Sequence, residues 1–288
     1  MVVLGLTDGV PAGAAVVIDG VTAAAADEAE PSRLASLRGM PRRALTEVLD
    51  RAGVTAREID LVMVAGIDAR PVDRVRPFDG NVTARRRRLG AIPGVGFVLD
   101  IAGRPVFALR RRLIRKILDQ EFAITAPVEF VHRHLAHAAG AYFTSGFIDA
   151  IAVTMDGGGD GDWAHVYDIR NSHFRRIGQA RIAAAEPAAR RHDERFVADF
   201  VQRHLGGNKP DRLVLAGDAF ADDRIKQRLG ELPGIERVHV RAGDPAPGLA
   251  PGAALAACML NRKHGRMATN GRSMAPPAPT TELELERV

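Results

Sequence analysis

The stretch His132 to Asp162, HRHLAHAAGAYFTSGFIDAIAVTMDGGGDGD, constrains the fold more than any other part of the chain. It joins three pieces. A helix opens with three histidines in six residues, His132, His134 and His137. An apolar run, Ala150 to Met155, is short and bounded like a buried strand. An acidic glycine turn follows, Asp156 to Asp162, whose Gly157, Gly158 and Gly159 let bare backbone approach a phosphate or a metal closely. Histidines leading a helix, with a carboxylate at a strand end, suit a hard-metal or phosphoryl site. Asp-Gly turns also join plain hairpins, and Trp163 to Ile169 reads as a returning strand. The residues alone leave both readings open.

With 288 residues and 46% apolar content, the chain has material for one large domain or two subdomains. One cysteine, Cys258, excludes a disulfide framework and any cysteine-based zinc cluster, which points to the reducing cytoplasm. The apolar start, Met1 to Gly5, has no charged leader and is interrupted by Asp8, so no secretion signal is expected. No run approaches the roughly 20 apolar residues of a membrane span. A soluble cytoplasmic protein is expected.

The net charge of +5 raises the question of nucleic acid. The excess lies in Arg85 to Arg88 and in Arg110, Arg111, Arg112, Arg115 and Lys116. In the second group, Leu109, Leu113, Ile114 and Ile117 recur at helical spacing, which predicts an amphipathic helix with its arginines on the wet face. Aromatics are only 5% of the chain, too few to support base stacking, so nucleic acid is not an expected partner.

Three short strands open the chain: Val2 to Leu6, then Gly13 to Ile18 and Val21 to Ala26 around the hairpin signal Asp19-Gly20. Pro41 to Gly53 predicts a helix, with proline in the first turn and glycine past the end. Ile59 to Val64 reads as a buried strand. Arg70 to Gly103 has no period and reads as a long loop. Val128 to Val131 predicts a strand leading into the histidine helix. Beyond the central hairpin come a strand at His173 to Ile182, a helix at Ala189 to Leu205, a strand at Arg212 to Ala216 and a helix at Asp222 to Leu229. Val238 to Val240 and Ala253 to Leu260 give a last strand and helix. Residues 264–288 read as a disordered tail. The second half loosely echoes the first, an order that two mixed-sheet α/β lobes with a cleft between them satisfy. The expected division is 1–125 for the first lobe with its basic helix, 126–263 for the second, then the tail.

Three blocks, in register and in order, resemble the O-carbamoyltransferases of antibiotic and nodulation-factor pathways. They are Val3-Leu4-Gly5-Leu6-Thr7 with Ala14 to Gly20; the central His134-Leu135-Ala136-His137-Ala138-Ala139 run with Asp156 to Gly159; and Leu213 to Gly217 with Gly248 to Leu255. The resemblance covers about residues 1 to 262. It implies a two-lobed actin-like ATPase and sugar-kinase (ASKHA) fold, related to the tRNA threonylcarbamoyl-transfer protein. It also implies nucleotide between the lobes, as ATP or carbamoyl adenylate, with Gly157, Gly158, Gly159, Gly217 and Gly252 close to it. A divalent metal such as iron, zinc or manganese would lie beside the phosphates. The family passes carbamoyl from carbamoyl adenylate to a small hydroxylated acceptor.

Departures from the family pattern concern the metal first. The family's histidine pair four apart falls on Arg133 and His137. Arginine stays protonated and has no lone pair for a cation. Asp156 matches the ligand at the strand end, but the last ligand falls on Ala246. His132 or His134, and Asp244, are the available surrogates. The His-Asp pair of the first phosphate hairpin is replaced by Asp8 to Gly13, and Asp218 stands where it would repel phosphate if it faced the cleft. The segment before Arg212 is shortened, and no counterpart of the family's adenylate-forming carboxy-terminal domain is expected. Two functions follow. One is a carbamoyltransferase-like enzyme, impaired or partner-dependent, with His137 and Asp156 as metal ligands and His134 or His137 in catalysis. The other is a non-catalytic nucleotide-binding or regulatory subunit, paired with a full-length carbamoyltransferase or with itself.

Overall fold

The structure, a computed structural model, describes all residues except 10, 30–36, 68–75, 78–94, 157–159, 182–192, 206–210, 242–244 and 264–288. The expected tail, Gly157 to Gly159 and Asp244 therefore lie outside the described residues.

Short apolar runs and tight turns, Asp19-Gly20 in the first half and Asn171-Ser172 in the second, produce two meanders. Strands β1 (Val2–Thr7), β2 (Gly13–Ile18) and β3 (Val21–Asp27) pair antiparallel in order. Asp19 and Gly20 turn the second hairpin at φ 49° and 85°, the left-handed pair that a two-residue turn demands. Helix α1 (Arg42–Ala52) then returns β5 (Leu61–Ala65) parallel to β1, and β7 (Val128–Val131) parallel to β5. Short β4 (Leu37–Arg38) and β6 (Arg76–Pro77) pair with each other.

The second half repeats the pattern. Strands β8 (Asp149–Met155), β9 (Asp162–Arg170) and β10 (His173–Arg181) form the meander, while β11 (Arg212–Ala216) and β12 (Arg237–Val240) extend it in parallel. The orders β3-β2-β1-β5-β7 and β10-β9-β8-β11-β12 are equivalent, strand for strand and direction for direction. This is the duplicated mixed-sheet topology of the two-lobed ASKHA fold.

Helices cover both faces of both sheets. On the first sheet, α1 and α2 (Val95–Phe122) bury Leu45, Val48, Ile114, Ile117 and Leu118 against Leu4, Leu6, Val62 and Val64. Its other face meets α6 (Pro245–Lys263) and α3 (Arg133–Ser145), through Ala136, Leu249, Ala253 and Ala254. The opposite side of α3 packs Ala138, Ala141 and Tyr142 onto the second sheet. Helices α4 (Glu194–His204) and α5 (Asp223–Gly230) close the outer face. The histidine helix thus lies between the two sheets.

Three expectations are corrected. Helix α2 begins at Val95, inside the span read as loop. Its wet face carries Arg111, Arg112, Arg115 and Lys116 as expected, but two positions depart: Leu109 is 58% exposed, while Arg110 is fully buried. The reason for the latter is a carboxylate, Asp8, that receives it. Strand β7, read as the start of the second lobe, hydrogen-bonds to β5 in the first sheet. Helix α6, from the far end of the chain, also rests on that sheet.

Candidate functional site

Parallel strands β1, β5 and β7, and β8 with β11, present their carboxyl ends toward the lobe junction. Open α/β sheets place ligands at such ends. The loop after β1 brings Asp8 and Gly9, β5 ends at Gly66, and β7 runs into His132 and Arg133. The β8–β9 hairpin brings Asp156, Asp160 and Asp162, and β11 ends at Gly217.

Asp156 is the centre of the arrangement. Its Oδ2 accepts the Arg133 Nε–H in a very short contact and lies 3.1 Å from His137 Nε2. All three side chains are largely buried. Burial alone would raise the Asp156 pKa. The Arg133 charge and the His137 bond outweigh it and hold the carboxyl well below the usual range. Arg133 also reaches toward the first lobe, where a methyl group built on Gly9 would stand 3.6 Å from its Nη1.

Asp160 ties the lobes together. Its Oδ1 accepts the backbone N–H of Ile67, past β5, and its Oδ2 accepts that of Arg133, both at 2.7 Å. The residue adopts φ 58°, which the short Asp side chain tolerates. Within the first lobe, Arg110 grips Asp8 and donates to Gly66 O at 2.6 Å.

A histidine stack lies alongside. His134 and His165 rings are 4.5 Å apart between centroids, and His132 and His165 are 4.7 Å apart. His132 caps α3 through its own ring, which accepts the His134 N–H. His134 is fully buried, with Nδ1 2.9 Å from Thr154 Oγ1 and Nε2 3.3 Å from Asp162 O. Burial, reinforced by His165 and His137, pushes its pKa down to about 3. Both of its ring nitrogens are engaged, and burial favours the neutral ring. Burial likewise pushes His165 down to about 4, and its Nδ1 lies 2.8 Å from Tyr167 Oη.

The glycines have structural work. Gly217 has φ 118°, and a Cβ there would strike Met155 O at 1.9 Å. A Cβ on Gly252 would strike Ala136 O at 2.1 Å, so this glycine sets the distance between α6 and α3. Ala246 lies in the first turn of α6, and Asp218 is exposed beyond Gly217.

The structure brings His137 and Asp156 together as the sequence suggested, but joined by Arg133. The family's metal does not fit this donor set. A guanidinium occupies Asp156, one histidine position is arginine, and the last ligand position is alanine. Sequence reasoning missed Asp160, Asp162, His165 and the Arg110–Asp8 pair as site residues. The one available signal was a histidine and a tyrosine within the otherwise apolar opening of β9. Among the described residues no helix is long and apolar enough to cross a membrane.

Comparison with known proteins agrees with the first two of the blocks seen in the sequence, which lie inside the span that the family model matches. The nodulation protein NolNO of Sinorhizobium fredii (strain NBRC 101917 / NGR234) is 31% identical over 152 residues, which is 51% of this chain and 20% of that protein. This chain therefore matches only about a fifth of its relative's length. Among solved structures, YeaZ from Pseudomonas aeruginosa aligns with TM-score 0.45 and 15% identity, over 91% of this chain and 93% of that one. The activator of 2-hydroxyisocaproyl-CoA dehydratase from Clostridium difficile, with bound ADPNP, gives 0.46 and 13%, over 95% and 100%. A ROK family glucokinase from Streptomyces griseus, with glucose and AMPPNP, gives 0.46 and 13%, over 88% and 99%. The family model described as carbamoyltransferase N-terminus matches residues 3–183, more than half of the chain. The chain belongs to the carbamoyltransferase family, through that family's amino-terminal domain.

Proposed function

We propose that this chain is a carbamoyltransferase-like protein whose transfer chemistry depends on a partner. Arg133 stands in for the divalent cation at the phosphate end of the cleft. The observation that carries this reading is the Arg133–Asp156–His137 contact. A divalent ion on one carboxylate leaves a net positive charge for phosphate. An arginine on the same carboxylate leaves none, and it offers no open position to polarise an oxygen. ATP or carbamoyl adenylate then binds weakly between the lobes, against the β1–β2 and β8–β9 hairpins. The acceptor is a small hydroxylated molecule. A full-length carbamoyltransferase, or a second copy of this chain, is the partner that supplies activated carbamoyl.

The residues present orient rather than react. Arg133 fixes Asp156, Asp160 fixes the first turn of α3, and Arg110 fixes the loop after β1. His134, buried and neutral, serves as a packing and positioning group. The test combines the chain, ATP, carbamoyl phosphate and a panel of hydroxylated acceptors, with and without a full-length carbamoyltransferase. The expected result is product only in mixtures containing the full-length enzyme, at a rate that this chain raises. Carbamoylated product from the chain alone overturns the reading. A parallel calorimetric titration with ATP is expected to show weak binding, unchanged by magnesium.

A further inference from the structure

We infer that His132, Asp162 and His165 form a site for one borderline divalent cation, zinc being the best match, beside the family's cation position and separate from it. One ligand atom from each residue lies within 4.8 Å of the others. Asp162 Oδ2 is 2.8 Å from His165 Nε2 and 3.5 Å from His132 Nε2. Tetrahedral zinc bonds of about 2.0–2.2 Å set ligand atoms roughly 3.3 Å apart, so small side-chain rotations complete the geometry. Two imidazoles and one carboxylate are a zinc-type donor set with a fourth position left open. That position falls on the side of His132, the one ligand with appreciable exposure, 20%.

Charge makes the second, independent argument. Buried carboxylates need a compensating cation. Asp8 has Arg110, and Asp156 has Arg133. Asp162 is also buried, yet among the described residues no arginine or lysine pairs with it. Its partners are the Gln179 amide, at 2.9 and 3.0 Å, and the two histidines. A cation on Asp162 supplies the charge that the side chains do not.

The surroundings already hold the ligands. The His132 and His165 rings stack, Gln179 orients the carboxylate, and His165 Nδ1 faces Tyr167 Oη at 2.8 Å. With the cation on Nε2 of His165, the ring proton moves to Nδ1 and points to that phenol oxygen, the outer support that metal-bound histidines use. Ligation through His132 Nε2 likewise places its proton on Nδ1. That gives up the cap bond from the His134 N–H, which is long at 3.2 Å. The bond to the cation replaces it.

The experiment uses the full chain, free of any affinity tag and stripped with a chelator. Zinc alone is titrated by calorimetry, and cobalt alone by visible absorption. One equivalent of zinc is expected, together with the intense cobalt bands of a tetrahedral site. His132→Ala and His165→Ala should each weaken binding by about 100-fold or more, and Tyr167→Phe by about 10-fold. His137→Ala should leave it unchanged, which separates this site from the Asp156 position on which the proposed function rests. Circular dichroism checks that each variant folds; should His165→Ala fail to fold, the more exposed His132 still decides. Absence of zinc binding by the parent chain, loss of binding in His137→Ala, or equal binding by the parent and His132→Ala each overturns the assignment.

Discussion

The guanidinium of Arg110 holds the carboxylate of Asp8 by two bonds, Nε to Oδ2 at 2.9 Å and Nη2 to Oδ1 at 2.5 Å, with the arginine fully buried. The two residues are 102 positions apart, so the pair fixes the loop after β1 to helix α2 across the core of the first lobe. Arg110 also lies over the Phe130 ring at 5.0 Å. Removing one partner of such a pair leaves a buried charge uncompensated. Arg110→Ala is therefore expected to cost about 3–5 kcal/mol in chemical denaturation. The double variant Arg110→Met, Asp8→Asn should recover a substantial part of that loss. A cost below about 1 kcal/mol for the single variant would show that water reaches the pair.

Beside Asp156, Arg133→His places two histidines four apart on one helix face, which both project toward that carboxylate. This variant should bind a second divalent ion that the parent chain does not, and His137→Ala introduced alongside should abolish it. Elemental analysis after dialysis reads the result directly. No gain of metal would mean that Arg133 is not what excludes the cation.

Asp160 joins the lobes through two backbone N–H groups. Asp160→Ala frees both amides, so faster hydrogen exchange is expected at Ile67 and at Arg133, with little change at core strands such as β8. Unchanged protection at Ile67 would show that the lobes are held together without this carboxylate.

Gly252 offers a test by sign. In a free helix, alanine is favoured over glycine by about 1 kcal/mol. In this structure an added Cβ meets Ala136 O of α3 at 2.1 Å. Gly252→Ala should therefore destabilise by about 1–3 kcal/mol through overpacking. A stabilised variant would indicate that α6 and α3 do not approach as described.

The histidine stack sets a pH dependence. His134 is pushed down to about 3 by burial, and His165 down to about 4, against an ordinary value of 6.5. Between those values the unfolded chain takes up protons that the folded chain refuses, so stability rises with pH across this window. Their contribution is complete above about pH 6.5 and is lost as pH falls. In chelator-treated protein, each histidine should account for about 2–3 kcal/mol of lost stability between pH 6.5 and 4.5. Urea unfolding across that range checks this, and His134→Gln should flatten the profile. Equal stability at both ends would show that these rings are solvated.

Local rules made part of this protein readable. The Asp19-Gly20 turn, the strand runs around it and the helix ending at Gly53 follow from side-chain alternation and the left-handed backbone that glycine permits. The pairing of His137 with Asp156 was also legible, because the blocks around them matched a family in order. Arg110 was not. Its spacing from Ile114 and Ile117 puts it on the apolar face of the helix, but no local pattern names Asp8, 102 positions away, as the carboxylate that receives it. Likewise, Val128 to Val131 was plainly a strand, yet its sheet was decided by hydrogen bonds to β5.

What the sequence determined by itself was the set of elements, their order and the family, because these depend on neighbours along the chain. Tertiary structure alone decided that Arg133 closes on Asp156, that Asp160 spans the lobes, and that Asp162 meets His132 and His165 without a cationic side chain. Those are matters of charge balance inside a low-dielectric junction. They depend on which distant groups share a few ångströms of space, and no spacing along the chain encodes that.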